Sequence, residues 1–148
     1  MELVLFIGIQ ASGKSSFFKQ HFSDSHVRIN LDMLKTKRRE EILIDACLKA
    51  KQKLVVDKTN LTISERRKHI SNAKSYGFRV IGYYFRTNLK AALERNRLRD
   101  GVARVPDAAI LGSNKRLELP SYDEGFDELF YVNAENGAFG VEAWRDEV

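Results

Sequence analysis

The sequence has one cysteine, Cys47, and two prolines among its 148 residues, and it has no apolar run long enough to cross a bilayer. A single cysteine cannot close an intrachain disulfide or build a thiolate metal centre, so Cys47 is expected to be a small core residue. Glu2 interrupts any reading of the N-terminus as a basic leader. These absences exclude a disulfide-stabilised secreted domain and predict a soluble protein of a reducing, intracellular compartment, here the cytoplasm.

Acidic residues are scarce over most of the chain. Residues 1–117 contain 24 Lys and Arg against 11 Asp and Glu, whereas residues 118–148 contain 1 against 9, within a net charge of +5. A basic body suits a polyanionic partner, nucleic acid in particular, but any nucleotide kinase also needs cations. Charge alone therefore leaves two interpretations open: a nucleic-acid surface and an ordinary solvated face.

The segment from Gly8 to Ser15 has the G-x-x-x-x-G-K-[ST] spacing of a phosphate-binding P-loop and follows a short apolar run. In such a loop, backbone N–H groups turn inward around phosphate oxygens, and the helix that begins there adds its positive end. The motif predicts that Lys14 contacts the β- and γ-phosphates and that the Ser15 hydroxyl binds Mg²⁺. The residues expected to hold the nucleotide are Gly8, Gln10, Ala11, Ser12, Gly13, Lys14, Ser15 and Ser16.

Strand patterns alternate with helical patterns along the chain. Apolar runs predict strands near 3–7, 27–30, 53–57, 78–85 and 129–132, and the second strand is followed by one helix that runs to about Lys51. This alternation predicts an α/β fold with a parallel sheet and helices on both faces, in a single domain over 1–148. Ligands of such sheets bind outside the carboxyl ends of the strands. The tail beyond Asn133 gives no prediction.

Two aspartates follow predicted strands at this edge of the sheet. Asp57 ends the third strand beside the P-loop, where a carboxylate usually holds Mg²⁺ directly or through water, and the alternative is a purely structural turn. Asp32 follows the second strand and is interpreted either as the group that accepts the proton of an attacking hydroxyl or as no more than the cap of the next helix. The residues leave both alternatives open at each position.

Arginines concentrate after the fourth strand. Arg95 and Arg99 stand four residues apart and are predicted to share one face of a helix that ends around Asp100-Gly101, away from its apolar residues. One interpretation is a solvated helix face. The other is a lid that brings guanidinium groups to the nucleotide phosphates as it closes, which makes Arg95 and Arg99 candidate catalytic and nucleotide-binding residues.

Together these motifs resemble the kinase domain of polynucleotide 5′-hydroxyl kinases, of both the phage and the animal type. The resemblance covers about residues 3–133 and implies a P-loop kinase fold with about five strands in the order 2-3-1-4-5 and an arginine-bearing lid. It rests on the order and spacing of Gly8–Ser15, Asn30-x-Asp32, Asp57-x-Thr59-Asn60 with Glu65-Arg66-Arg67, Arg95-Asn96-x-x-Arg99, Val105-Pro106 and Glu124-Gly125-Phe126.

The resemblance also implies an activity: ATP and Mg²⁺ are used to phosphorylate the 5′-hydroxyl end of a nucleic acid, DNA or RNA. Lys14 and Ser15 then hold the nucleotide and the metal, Asp32 activates the hydroxyl, and Arg99 clamps the phosphates with Arg95 in support. On the acceptor side the resemblance implies contacts from Lys35, Thr59 and Asn60.

Two other functions are compatible with the same residues. A P-loop kinase of a small-molecule hydroxyl shares much of this framework, and a non-catalytic ATP-binding module shares the P-loop alone. The sequence does not choose between DNA and RNA or between ATP and GTP, and it leaves the oligomeric state open.

Overall fold

The computed structural model describes residues 1–135 and 138–145, without the side chains of residues 102 and 135. Within these residues, strands and helices alternate from the N-terminus to the end of the fifth strand. In chain order the elements are β1 (Glu2–Ile7), α1 (Lys14–His21), β2 (Val27–Ile29), α2 (Leu31–Leu34), α3 (Lys37–Ala50), β3 (Leu54–Val56), α4 (Ile63–Ser75), β4 (Arg79–Arg86), α5 (Leu89–Arg97), α6 (Asp107–Arg116), β5 (Glu128–Glu135) and β6 (Ala138–Ala143), with 3₁₀ turns at Gly101–Ala103 and Tyr122–Glu124.

The sheet has the strand order β2-β3-β1-β4-β5-β6. The first five strands in this order pair in parallel, and β6 is antiparallel to β5. Leu3 of β1 lies between Leu54 of β3 and Val80 of β4. Because β1 is central, the segment that follows Ile7 emerges in the middle of the carboxyl edge of the sheet.

The residues of β1 alternate between two cores because successive strand side chains point to opposite faces. Leu3, Leu5 and Ile7 belong to the core that includes residues of α3 and α4. Val4 and Phe6 belong to the core that includes residues of α1. All five are fully buried, so β1 has no polar side and is fixed from above and below. Cys47 is unpaired and buried in the first core, as expected.

The predicted order of the five parallel strands is confirmed, and the antiparallel strand β6 is an addition. The sequence offers no prediction for the segment of β6, which contains Gly140 and mostly exposed side chains. The pairing of β6 with β5 supplies the backbone hydrogen bonds of β6. The alternation of buried and exposed side chains that marks an amphipathic strand is weak in β6. The sixth strand thus depends on β5 rather than on a strong local pattern.

The helix predicted after β2 is in fact two helices. Lys35 has a φ of 75°, which ends α2 after four residues. Thr36 then caps α3, because its hydroxyl accepts a hydrogen bond from the backbone N–H of Arg39 at 3.2 Å. Among the described residues no helix has both the length and the apolarity that a membrane span needs.

The two helices after β4 are joined by a loop that a buried amide holds in place. Asn96 is fully buried, its Nδ2 donates to the carbonyl of Val105 at 2.6 Å, and its Oδ1 accepts from the N–H of Val105 at 3.0 Å. The helix α5 ends at Arg97, so the expectation that it runs to about Asp100 is wrong. Arg99 consequently lies in the loop between α5 and α6.

The base of this helical pair packs on the P-loop. Ala92 of α5 and Ile110 of α6 are fully buried and form a small apolar cluster with Ile9 and Ala11. The pair is therefore anchored to the segment that follows β1, and we call α5, α6 and their connecting loop the lid.

Candidate active site

The P-loop encloses the ammonium group of its own lysine. Lys14 Nζ donates to the carbonyls of Gly8 at 2.9 Å and Ile9 at 2.7 Å and lies 3.3 Å from Ser12 Oγ. Burial lowers the pKa of Lys14 to about 8; the nearby negative charge of Asp57 opposes this shift and the positive charge of Arg99 adds to it. The lysine is therefore a cation held at an energetic cost, which a nearby anion would relieve.

Gly13 starts α1 and has the backbone shape that a phosphate cradle requires. Its φ is 98°, and a Cβ at this position would lie 3.1 Å from the ring of Phe139 in β6. Ser15 and Ser16 are exposed in the first turn of α1, whereas Ala11 and Ser12 are buried, and the Oε1 atom of Gln10 is buried without a hydrogen-bond partner among the described residues. A helix N-terminus behind inward-facing backbone N–H groups fits the phosphates of a nucleotide.

Arg28 joins the two residues that the sequence predicts as metal ligands. It lies in the middle of β2, its Nε donates to Asp57 Oδ2 at 2.8 Å, and its Nη2 lies 2.7 Å from that same oxygen and 2.9 Å from Ser15 Oγ. Sequence reasoning missed Arg28, since a single basic residue inside a short strand carries no motif. A cation already bridges Ser15 Oγ and Asp57 Oδ2, so this pair of hard oxygen atoms fits Mg²⁺.

Asp32 is exposed in the first turn of α2 and does not cap that helix. The cap is Asn30, whose Oδ1 accepts from the N–H of Met33 at 3.1 Å and whose Nδ2 donates to the carbonyl of Asp57 at 3.2 Å. The interpretation of Asp32 as a helix cap is therefore wrong. Lys35, at the end of α2, is also exposed.

The loop after β3 is held from inside the protein. The N–H of Gly8 donates to the carbonyl of Thr59 at 3.0 Å. Asn60 is 2% exposed, and its Nδ2 donates to the carbonyls of Phe6 at 2.7 Å and Val56 at 3.3 Å. The amide of Asn60 is thus turned into the sheet, where it fixes the backbone of this loop.

A buried arginine supports the same loop from the other side. Arg66 of α4 donates through Nη1 to the carbonyls of Asn60 at 2.8 Å and Leu61 at 3.1 Å. Its Nε and Nη2 donate to the two carboxylate oxygens of Glu124 at 2.7 Å and 3.1 Å. The sequence motifs contain both residues, yet nothing in the sequence indicated that they pair.

The lid arginines reach the P-loop by different routes. Arg95 Nη1 donates to the carbonyl of Ala11 at 3.2 Å and lies 3.4 Å from Thr87 Oγ1. Arg99 Nη1 donates to the carbonyl of Ala103 at 3.1 Å within the lid loop, and its charge is felt at Lys14. The arginines do not share a helix face as predicted, but both lie near the loop that the sequence expects them to serve.

The arrangement combines four cations with one buried carboxylate, Asp57, at the carboxyl edge of β1 and β3; the cations are Lys14, Arg28, Arg95 and Arg99. Such a set can bind and orient a polyphosphate and neutralise charge on its terminal group. The part of the chain that the structure describes has no group of three or more His, Cys, Asp or Glu side chains that could hold a metal alone. A metal held by Ser15 and Asp57 would need the phosphates of a nucleotide as further ligands.

A mostly parallel sheet with this strand order, a P-loop after its central strand and an arginine-bearing helical pair above it define an α/β P-loop kinase fold. Solved structures of other proteins share this fold, and two of them are Kti12 and a structure of the PezAT system. Kti12 of Chaetomium thermophilum in complex with ADP-AlF3 has a TM-score of 0.68 at 16% identity, with 88% of each chain covered. A structure of the PezAT chromosomal toxin-antitoxin system of Streptococcus pneumoniae has a TM-score of 0.63 at 13% identity, with 89% of this chain and 68% of that chain covered.

The family model described as "AAA domain" matches residues 3–120, and the chain belongs to this family. Two curated relatives confirm the resemblance to polynucleotide kinases. The bifunctional polynucleotide phosphatase/kinase of Schizosaccharomyces pombe is 28% identical over 84% of this chain. The putative bifunctional polynucleotide phosphatase/kinase of Acanthamoeba polyphaga mimivirus is 30% identical over 86% of it. The match covers 32% of each relative, so the chain spans about a third of their length.

Proposed function

We propose that this chain is an ATP-dependent polynucleotide kinase domain that transfers the γ-phosphate of ATP to the 5′-hydroxyl end of DNA or RNA. The observation that carries the proposal is the exposed carboxylate of Asp32. It does not cap its helix, and it lies two residues after Asn30, which is hydrogen-bonded to the backbone of Asp57 beside the P-loop. A phosphate cradle, buried carboxylate and uncommitted carboxylate at one sheet edge fit the needs of phosphoryl transfer to an alcohol.

On the nucleotide side, Lys14 and the backbone of the P-loop hold the β- and γ-phosphates. Arg95, already in contact with the carbonyl of Ala11, and Arg99, near Lys14, move the short distance needed to bind phosphate oxygens. Ser15 and Asp57 would hold Mg²⁺, which neutralises charge on the phosphates when bound. These cations stabilise the charge that spreads over the equatorial oxygens in the transition state.

On the acceptor side, Asp32 accepts the proton of the terminal hydroxyl as that oxygen attacks phosphorus. A carboxylate exposed at a helix start is free to make this contact in a way that a capping carboxylate is not. Exposed basic side chains continue from Asp32 into α3 and offer contacts to the phosphates of the acceptor strand. They are Lys35, Lys37, Arg38 and Arg39.

A polar pocket of about 140 Å³ lies next to this basic segment, between α3 and α4. It includes Lys58, which follows Asp57, and Glu40, whose Oε1 pairs with Lys58 Nζ at 3.0 Å. Asn60 also lines it, and the backbone carbonyl of the adjacent Thr59 holds the loop beside Gly8. The loop from Asp57 to Asn60 therefore contributes to the acceptor side through its shape and its backbone rather than through the amide of Asn60.

The names of the curated relatives support the acceptor assignment. Both are described as polynucleotide phosphatase/kinases, and the matches cover 84% and 86% of this chain. The excess of basic residues in 1–117 is what a protein that binds a nucleic-acid backbone needs.

The test is transfer of label from γ-labelled ATP to an oligonucleotide with a 5′-hydroxyl, with Asp32→Asn as the variant. We expect this variant to lose at least about 100-fold in transfer rate while it binds ATP as the parent does, because only the proton acceptor is removed. Asp24→Asn removes an exposed carboxylate outside the site and is expected to leave transfer unchanged. Full transfer by Asp32→Asn would exclude the proposed role of Asp32.

The substrate class is tested with the same assay. Binding through the phosphate backbone makes the logarithm of affinity fall linearly with the logarithm of salt concentration, with a slope set by the number of phosphates contacted. A folded, ATP-binding protein that labels no oligonucleotide would exclude the proposed substrate class, and label on a small sugar or antibiotic with little salt dependence would indicate a kinase of small molecules. ATP binding without ADP release in response to any acceptor would indicate a non-catalytic module.

A further inference from the structure

Arg28 occupies the space in which a cation bridges Ser15 and Asp57. The side chain of Asp57 is 2% exposed, and both of its contacts with Arg28 are made through one oxygen, Oδ2. The same Nη2 atom that approaches Oδ2 also donates to Ser15 Oγ at 2.9 Å. The buried carboxylate is thus paired with a cation that the protein itself supplies.

The Arg28 guanidinium and a divalent cation compete for the same two oxygen atoms, Ser15 Oγ and Asp57 Oδ2. Mg²⁺ needs its oxygen ligands at about 2.0–2.1 Å in near-octahedral geometry. An ion bound between Ser15 Oγ and Asp57 Oδ2 in the place of Arg28 would have to displace Nη2, which lies 2.9 Å from the first atom and 2.7 Å from the second. Two positive charges at such short range also repel each other strongly in a partly buried site.

The Arg28 guanidinium is able to move away from Ser15. Its side chain is 23% exposed, and it projects from β2, a three-residue strand at the edge of the sheet. Besides Ser15 and Asp57, it lies over the ring of Phe18 at 5.5 Å, a contact that tolerates sliding because it has no fixed hydrogen-bond direction. Arg28 can leave Ser15 without unfolding any element.

We propose that Arg28 is an internal competitor of the divalent cation. In the nucleotide-free protein it compensates the charge of Asp57 and orients the hydroxyl of Ser15, and it must release Ser15 before the ion binds. The inference rests on the proposed function, which assigns Ser15 and Asp57 to the metal. Its consequence is that the protein binds a divalent cation weakly until nucleotide phosphates add further ligands.

The experiment measures Mn²⁺ binding to the whole chain without nucleotide, from the electron paramagnetic resonance signal of free Mn²⁺. Arg28→Gln keeps much of the side-chain length and removes the charge, and we expect it to raise Mn²⁺ affinity by about tenfold or more. Arg79→Gln is the matched control, because it removes one positive charge at the start of β4, where Arg79 pairs with Glu128 at 3.3 Å. It should change the affinity by less than about twofold.

Three outcomes decide the proposal. Unchanged Mn²⁺ affinity in folded Arg28→Gln overturns it, and so does a gain that persists when Asp57→Asn is added to this variant. If Arg28→Gln does not fold, Arg28→Lys keeps a cation beside Asp57 but cannot span both oxygens, and a smaller gain is expected; no gain overturns the proposal. The metal assignment itself fails separately if Asp57→Asn, with Arg28 present, leaves the affinity for Mn²⁺ with ATP unchanged.

Discussion

Two arginine–carboxylate pairs lie on either side of the loop that follows β3, and they differ in how completely the fold satisfies them. The side chains of Arg66 and Glu124 are 0% and 5% exposed. Those of Arg28 and Asp57 are 23% and 2% exposed. Both pairs place an ionised carboxylate out of water, but only the first pair buries its cation as well.

The hydrogen bonds of the two pairs show what this difference means. Arg66 donates to both oxygens of Glu124 and to two backbone carbonyls, and the N–H of Ser121 also donates to Glu124 at 3.0 Å. Arg28 uses one oxygen of Asp57 and a serine hydroxyl. A fully saturated pair fixes structure, whereas a pair with one shared oxygen at the ligand edge of the sheet can exchange its cation.

Among the variants that test the difference between the two pairs, Arg66→Met is expected to have the largest effect. The variant leaves Glu124 buried and charged without its partner and removes the support of the loop at Asn60, so we expect the free energy of unfolding to fall by about 3–5 kcal/mol. Urea denaturation followed by circular dichroism measures it. Arg28→Met should cost less than half as much, because the carboxylate of Asp57 that it leaves still interacts with the positive charge of Lys14.

Arg79→Met is the control for loss of an arginine as such. The Arg79 and Glu128 side chains are 58% and 45% exposed, and exposed pairs contribute at most about 1 kcal/mol. If Arg66→Met and Arg28→Met destabilised the protein equally, the distinction between a structural pair and an exchangeable pair would be lost.

The parts of this molecule that could be predicted from the sequence are those marked by an apolar run or a motif. The five parallel strands were found because each is a compact apolar run in a repeated β–α pattern, and Lys14, Ser15 and Asp57 were found because they follow strand ends or a motif. Arg28 was missed, since a single basic residue inside a short strand carries no motif, and its contacts with Asp57 and Ser15 join residues that are far apart in the sequence.

The structural details that the sequence did not predict each depend on a particular turn or contact. The break at Lys35 coincides with a positive φ there and with the cap that Thr36 supplies to α3, and the apolar periodicity used to predict the helix marks neither feature. The early end of α5 depends on Asn96 binding Val105, a contact nine residues away that no periodicity reveals. The inward turn of Asn60 similarly depends on the carbonyl of Phe6 in a different strand.

A further prediction concerns Lys14, whose ammonium group lies inside the P-loop. The pKa of Lys14 is lowered to about 8 mainly by burial, and a bound polyphosphate should raise it because an opposite charge then lies within contact distance. Nucleotide affinity is therefore complete below about pH 8 and should fall as the pH rises through that value, by about tenfold to thirtyfold between pH 7 and 9.5. Isothermal titration with ADP in buffers of different ionisation enthalpy measures both the affinity and the proton uptake.

Lys14→Arg separates this effect from general alkaline changes. An arginine stays charged throughout this range, so a folded Lys14→Arg variant should bind ADP more weakly but with little dependence on pH. An equally steep fall in the variant would mean that a group other than Lys14 titrates in this range and controls nucleotide affinity.

The smallest expected effect concerns His69, which lines the pocket between α3 and α4. His69 lies one turn after Arg66 in α4 and lines the same pocket as Lys58, the residue that follows Asp57. Burial, with the positive charges of Lys58 and Lys68, lowers the pKa of His69 to about 4, against a smaller opposing effect of Glu65.

The folded protein therefore binds a proton at His69 far less readily than the unfolded chain, whose histidine titrates near its usual pKa. Stability must fall as the pH decreases through about 6.5 toward 4, and the loss attributable to His69 between pH 7 and 5.5 should be about 1 kcal/mol. Chemical denaturation at the two pH values, for the parent and for His69→Gln, isolates this contribution from those of the other histidines. Equal losses of stability in the parent and the variant would show that His69 does not contribute to the pH dependence and that its pKa is not lowered by burial in this pocket.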